Sequence, residues 1–495
     1  MKTLLIYISL ILFCSCNLLP QVITELTLDS SITIALNNSF AIKNATEQYL
    51  ALRNSYESQS LVDATTVDLS LSLPEYSESL TNQFNPLSQR YEFYQLKSTQ
   101  LRSSLSINQP ISLIGGTLSL SGDFFKRNQS SGQAGTIEEI KDYFSYFRIG
   151  FQQPLFSPNV LRITKNQANL RISQANSNYV RDQLDIIYEV TEAFFTTYRL
   201  GQVEQISAEQ VTQNEESYKT AKGKFTSGLI PEVELLQSEV DLVTSRNQLL
   251  NDQREALRAA NALKLLLGLP MSGKIVLKAD LQYTPVRIDQ DIATQKALEN
   301  RSEMLNAQRA REISSMDVDL ASSQRHIRFD LSAGYGLNRN DTRIESVFQD
   351  FGRTRTISLG VMVPIFDWGR HSRAVDAARA QWRSTELTYA NTEQQIRQEI
   401  LDLISRITVA ESRIQVLAKS VEVAQKSYVI SIERFRVGTI TSNDLALAQQ
   451  RLTTSKLNNL VALIDYRLGI ADLTRKTLWD FEKNQPVIIL PPPEN

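Results

Sequence analysis

Apolar and polar residues alternate strictly in several stretches of this chain. Reading from Arg328, the residues Phe329, Leu331, Ala333, Tyr335 and Leu337 fall on one side, and Arg328, Asp330, Ser332, Gly334 and Gly336 on the other. Ile357, Leu359, Val361 and Val363 alternate in the same way with Thr356, Ser358 and Gly360, and Phe147, Ile149 and Phe151 with Arg148, Gly150 and Gln152. A period of two predicts β-strands. Two of them run into a proline, in "IGFQQPLF" (Ile149–Phe156) and "LGVMVPIF" (Leu359–Phe366). Strands with one apolar and one polar face suit a half-buried soluble sheet. They suit equally a membrane barrel, with lipid outside and water inside, and about nine to eleven residues suffice to cross a bilayer at a tilt.

A different pattern follows each proline. From about Pro158 to Gly228, and from about Gly369 to Gly438, there is no interior proline and little glycine beyond Gly201 and Gly223. Ala, Leu, Gln, Glu, Arg and Lys fill the rest, which predicts two long helices. Roughly 65 residues of helix reach on the order of 100 Å, taller than an ordinary globular domain. After the first glycine, two heptad series run side by side. One is Leu235, Leu242, Leu249, Ala256 and Leu263, and the other Leu236, Val243, Leu250 and Leu257. A single coiled-coil seam needs one apolar stripe. Adjacent stripes predict neighbours on both sides, as in a closed wall of helices, although helical pattern alone fits a plain antiparallel coiled-coil rod as well.

These elements come twice, in register. Pro154, Phe156, Glu189, Ser217, Tyr218, Phe225, Gly228, Leu235, Leu242, Ser245 and Leu263 recur 210 residues later as Pro364, Phe366, Glu399, Ser427, Tyr428, Phe435, Gly438, Leu445, Leu452, Ser455 and Leu473. A gapless register implies rigid elements. "ALNNSFAIKNA" (Ala35–Ala45) resembles "ALENRSEMLNA" (Ala297–Ala307) at another offset, so the length change between copies falls in between, where loops tolerate it. The resulting organisation is a leader at 1–16, a first repeat at 24–280, a second at 281–480 and a tail at 481–495. Copy one carries extra material from Leu96 to Phe125, where Gly115 and Gly116 would turn a hairpin; this either adds a hairpin or lengthens the strands. Pro74–Tyr91, Lys126–Asp142 and Asn338–Arg355 are polar and predict exposed loops.

Composition narrows the class. Lys2, an apolar run from Leu4 to Phe13 and small or thiol residues at Cys14–Cys16 have the form of a secretory signal. No later apolar run is long enough for a transmembrane helix, so any membrane crossing is by strands. Both cysteines lie in the leader, leaving no disulfide framework. Cys16, after Ser15, is either a lipidation site or a thiol discarded with the leader; Phe13, Cys14 and the apolar residues that follow fit the lipoprotein pattern poorly. With 52 basic and 54 acidic residues, a formal net charge of −2 makes no electrostatic case for nucleic acid. His326 and His371 lack partners at metal-ligand spacing, and no phosphate loop, nucleophile elbow or zinc signature appears. The sequence therefore argues against an enzyme and against a cofactor or metal.

The doubled order of helix, strands, "QPLF" or "VPIFDWGR", long helix, Phe-x-x-Gly-x-Ile-x-x-x-acid-Leu and helix resembles the TolC-like outer-membrane efflux factors, from about Leu26 to Leu478. The resemblance implies an α+β membrane protein in the outer membrane of a Gram-negative bacterium. It implies a homotrimer in which each chain gives four strands to a twelve-stranded barrel in outer-membrane lipid and its helices to a periplasmic tunnel. Function is then that of a passive exit duct for small molecules or peptides, in tripartite efflux or type I secretion. A periplasmic adaptor would link it to an inner-membrane RND or ABC transporter.

The same resemblance places Gly228 in "KFTSGLIPEVELLQ" and Gly438 in "RFRVGTITSNDLALAQ" at the inner turns of the helical hairpins, where the adaptor would dock. Glycine suits a helix C-terminus and Pro231 the first turn of the next helix. Glu234 and Asp444, each six residues on, match positions where the family has acids that help hold the tunnel closed. The helix dipole favours an acid there in any case, so both could equally be simple helix-start residues. Leu447 stands where some relatives carry a further acid, which implies a narrowest ring that is either apolar or less cation-binding than theirs. Two other readings remain open: a secreted or surface-attached trimeric coiled-coil adhesive protein, extractable by salt or urea, and a lone pore coupled to no pump.

Overall fold

The structure, a computed structural model, describes residues 23–85, 88–133, 136–323 and 327–487. The leader, Cys16 and His326 lie outside the described residues. In chain order the elements begin with β1 (Ile23–Leu26), α1 (Leu28–Asn38), α2 (Phe40–Ser60), β2 (Thr66–Leu71), β3 (Glu75–Asn85), β4 (Arg90–Ile111), β5 (Gly116–Gln133) and β6 (Thr136–Leu155). Next come α3 (Val160–Thr226), α4 (Glu232–Leu267), β7 (Lys274–Leu277), α5 (Gln290–Asn300) and α6 (Ser302–Ser323). They end with β8 (Arg328–Asp341), β9 (Gly352–Met362), α7 (Arg370–Arg436), α8 (Ser442–Thr477), β10 (Trp479–Asp480) and β11 (Gln485–Pro486). Two compact units result. One takes in the segments before Leu50, Asn176–Leu305 and the segment from Asn391; the other is Ala51–Ala175 with Asn306–Ala390.

The second unit holds one antiparallel sheet in the order β2-β4-β5-β6-β8-β9, with β3 also paired to β4. β2 and β3 lie along the same edge of β4, where Leu71 faces Ser103 and Glu75 faces Gln100, so they form one strand line broken near Pro74. Proline cannot donate to a ladder and is confined to such edges. Ser72 bridges the break by accepting from the Arg102 N–H and donating its own N–H to the Arg102 carbonyl, both at 2.9 Å. The sheet therefore has six strand lines, not the four that the family resemblance implied. The added hairpin is β4–β5, which turns at Gly115 in the left-handed region (φ +75°).

Of the three polar segments expected as loops, two are largely strand and the third is mostly loop between two strand ends. Pro74–Tyr91 contains β3, Lys126–Asp142 holds the paired ends of β5 and β6, and Asn338–Arg355 ends β8 and begins β9 around a short 3-10 turn at Ile344–Phe348. Ladder bonds are made by backbone, so a strand with water on both sides needs no apolar face, and polarity alone misled the expectation. Within the last segment Val347 is fully buried and Phe348 stacks on Phe124 at 5.8 Å.

The helical hairpins repeat in register. α3 and α7 both have 67 residues and α4 and α8 both have 36, with every boundary displaced by 210. The broken helix pairs also correspond. Ser39 parts α1 from α2 and Arg301 parts α5 from α6, each extended (ψ 147° and 131°), and Ala35 and Ala297 are both buried. β1 and β7 pair in parallel beside them. The core is apolar and close-packed. Phe194, Leu263, Ile400 and Leu473 are fully buried, and at Gly469 a Cβ would stand 2.7 Å from Ile407 Cγ1, so the Ile407 side chain fills the space that the glycine leaves.

Candidate functional site

The hairpin turns close by the same device in both copies. Leu229 donates to the Lys224 carbonyl (2.8 Å) and Gly228 to that of Phe225 (2.9 Å); Thr439 donates to Arg434 (2.9 Å) and Gly438 to Phe435 (3.1 Å). These are Schellman caps, which place a left-handed residue after the helix, and Gly228 and Gly438 have φ of +69° and +81°. A Cβ added at either would meet open space, so the glycines are required by backbone conformation alone. Gly228→Val and Gly438→Val should each cost about 1–3 kcal/mol locally, whereas asparagine, which tolerates this region, should cost little. Thermal unfolding of the purified protein measures the difference.

Pro231 is the N-cap of α4, one position outside the helix, and gives no side-chain cap. Glu234 and Asp444 are the third residues of α4 and α8. They differ in partners. Asp444 Oδ2 accepts from the Thr441 N–H (3.1 Å) and hydroxyl (2.8 Å), while the Asp444 N–H donates to Thr441 Oγ1 (3.2 Å), a complete capping box. The Thr441 hydroxyl and N–H, with the charge of Arg434, hold the Asp444 carboxyl below its ordinary range. Stability from such a lowered group is present above the unfolded pKa and disappears as pH falls through the folded one, below about pH 4. Among the described residues the Glu234 carboxylate makes no hydrogen bond or ion pair. Leu447 is exposed.

Behind the turns the two hairpins share a core of Ala221, Tyr428, Phe435, Leu445 and Leu452, with Ile230, Leu235, Ile432 and Ile440 against it. Lys224 donates to the Phe435 carbonyl, and its Nζ stands 4.3 Å from the centre of the Phe435 ring. Phe435→Ala, at a side chain only 2% exposed, should cost about 3–5 kcal/mol and let the hairpins part, read as earlier urea release of the tip in hydrogen exchange. The sequence showed neither contact, since both cross between copies. Farther along, α3 and α8 meet where Gln449 Nε2 reaches the Gln210 carbonyl (3.4 Å) and Lys456 reaches Glu209 (3.2 Å).

The outer helices keep unpartnered apolar stripes. On α4 and its preceding turn Leu229, Leu236, Val243, Leu250 and Leu257 are 51–73% exposed, while Leu242 and Leu263 of the neighbouring series are buried. On α7 and the turn after it a second series went unread in the sequence, although its spacing of seven was the available signal. Val409, Val416, Val423, Ile430 and Val437 are 55–75% exposed.

Other candidate chemistry reduces to structure. His371 Nδ1 lies 2.5 Å from Asp367 Oδ2, and Asp367 accepts the Gly369 and His371 N–H groups at the start of α7, a local cap. Among the described residues no cluster of His, Cys, Asp and Glu could hold a metal ion. No described helix is long and apolar enough to cross a membrane, which leaves crossing by strands unaffected.

A two-faced antiparallel sheet together with doubled hairpins of a 67-residue and a 36-residue helix defines a channel-type envelope protein. Residues 117–269 and 293–473 match the outer membrane efflux protein family, and the chain belongs to it. It is an outer-membrane channel component of an efflux system, with its helical part in the periplasm. The chain is 21% identical over 321 residues to the outer membrane efflux protein BepC of Brucella suis, covering 64% of this chain and 68% of that one. It is 22% identical over 332 residues to the outer membrane protein TolC of Vibrio cholerae, covering 66% and 74%. The fold resembles the crystal structure of the outer membrane protein VceC of Vibrio cholerae, with a TM-score of 0.67 at 16% identity over 93% of this chain and 97% of that one.

Proposed function

We propose that three copies of this chain form a continuous duct from periplasm to exterior, a passive conduit and not a catalyst. The observation that carries this reading is the pair of exposed stripes. α4 runs away from the turns and α7 runs toward them, so laid antiparallel they match position for position: Leu229 with Val437, Leu236 with Ile430, Val243 with Val423, Leu250 with Val416, and Leu257 with Val409. Within one chain α3 and α8 occupy the middle, leaving these two faces outermost. A neighbour's α7 against α4, repeated around a threefold axis, covers every stripe and closes the wall. At roughly 1 kcal/mol for each half-buried side chain, a seam gives on the order of 10 kcal/mol before the costs of association.

In this reading residues 24–280 and 281–480 are structural repeats, 481–495 is a tail, and 1–16 is a leader, with Cys16 as a candidate lipid anchor. The turns at Gly228 and Gly438 face the periplasm and receive an adaptor, which joins the duct to an inner-membrane RND or ABC transporter. Glu234 and Asp444 help close the inner mouth. Cargo is small molecules or peptides chosen by the pump. Detergent extraction with light scattering tests the assembly. A trimer that resists salt and urea extraction and shifts in gel mobility on heating is expected, and a salt-extractable stalk or a stable monomer overturns the reading. Gentle solubilisation should co-purify an adaptor; its absence would leave a lone pore.

A further inference from the structure

We propose that the membrane barrel of this protein is closed by six strand lines from each of three chains, eighteen in all, and not by four. The inference rests on the trimeric reading above and deepens it. The first support is that β2 and β4 have the same two faces as the other strands, in register. One row across the sheet reads Thr66, Asn108, Ser119, Gly150, Gly334 and Thr356, every member polar or glycine. The next row reads Val67, Ile107, Leu120, Ile149 and Tyr335 on the opposite face and reaches Arg355 on β9. A hairpin lying over a barrel mouth or out in water has no need of an apolar stripe aligned with those of its neighbours. A hairpin in the wall does.

The second support is the continuity of the apolar band. The row through Leu69 and Leu105 meets Phe147 and Leu337 but ends at Arg353 on β9, whose apolar residues Ile357, Leu359 and Val361 sit farther along, on the rows of Phe151, Gln153 and Leu155. From β2 to β8 the Val67 and Leu69 rows carry no polar side chain and do not shift, so β2 and β4 bear the same band as β6 and β8, and the displacement falls on β9.

The third support is the edges. Five antiparallel steps separate β2 from β9, so the two outer strands run in opposite senses, and the β9 of one copy meets the β2 of the next in the same antiparallel alternation. All of β2 and β9 is exposed in the single chain. An unpaired edge in lipid is untenable. Setting the middle of the apolar run on β2 against the middle of that on β9 places Leu69 of one copy near Leu359 of its neighbour, apolar face to apolar face. Because diameter grows about linearly with strand number, the barrel would be roughly half again as wide as a twelve-stranded one. Its extra polar lining comes from Arg102, Ser104, Ser106, Ser119, Ser121 and Asp123. The outer exit then imposes no size limit of its own, and passage of bulky hydrated cargo is governed by the helical part.

Paired cysteines test this in the full-length protein in native membranes, with each single variant as the control for native thiols and a short bis-maleimide as the probe. Leu69→Cys with Leu359→Cys should give covalent dimers and trimers, as should Val243→Cys with Val423→Cys at the helical seam. Leu120→Cys with Leu359→Cys should not, because β4 already covers that edge of β5. Cross-linking through Leu120 with none through Leu69 would mean that β5 is the closing edge and would overturn the eighteen-stranded wall. A seam pair that links while neither strand pair does would also overturn it, leaving the trimer standing. If no pair links, the trimeric reading falls as well.

Discussion

Aspartate at Val243 and Val423 together should convert the detergent-extracted protein from trimer to monomer. In the single chain both side chains stand exposed midway along stripes of five apolar residues each. In the proposed seam they face one another. Two carboxylates brought together in an apolar seam lose hydration and repel, costing several kcal/mol per seam, and a trimer has three such seams. Each seam gains on the order of 10 kcal/mol from roughly ten half-buried side chains before the costs of association, so a penalty of that size removes the surplus that holds it together. Light scattering should report one chain's mass, the heat-dependent gel shift should vanish, and export should stop. Val243→Glu with Val423→Lys should recover part of the assembly, since the opposite charges attract. A trimer unaffected by the paired aspartates would show that these stripes meet something other than each other.

Neutralising the two acids at the turns should open the pore. Glu234→Gln with Asp444→Asn preserves size and, at Asp444, preserves an oxygen that still accepts from the Thr441 N–H and hydroxyl, so the capping box and the start of α8 survive. What disappears is charge. If the closed mouth depends on charge-assisted contacts from these carboxylates to a neighbouring hairpin, each lost contact weakens it by about 1–3 kcal/mol, or about five- to a hundred-fold in the ratio of open to closed. Planar bilayers should show larger or more frequent openings than wild type, and cells should become sensitive to large antibiotics. Unchanged conductance would make both acids helix-start residues only. Asp444 already has that role within one chain. Glu234, with no partner among the described residues, is the acid whose carboxylate remains to be satisfied by a neighbour.

Much of the helical architecture was legible because helices are specified locally. The span from Pro158 to Gly228 contains nothing that breaks a helix, and the observed α3 fills it from Val160 to Thr226. The glycine at each turn was legible for the same reason: a helix that stops in a Schellman cap needs a left-handed residue, and glycine supplies it without strain. Alternation around Arg328 and Thr356 likewise marked β8 and β9 with their faces.

The rest depended on partners distant in sequence. Polar composition in Pro74–Tyr91 does not reveal that β4 continues alongside to accept β3, since ladder hydrogen bonds are indifferent to side chains. For that reason the sequence left the material from Leu96 to Phe125 open between an added hairpin and longer strands, and pairing on both sides made β4 and β5 an added hairpin within the sheet. Lys224 against Phe435 joins residues 211 apart, a contact for which neither local pattern carries a mark. Sequence by itself determined the repeated elements, their apolar faces and the turns, because period and backbone conformation are local properties. Only the tertiary structure decided which faces remain bare, because a stripe counts as unpartnered only after the chain has folded and its own helices have covered what they can.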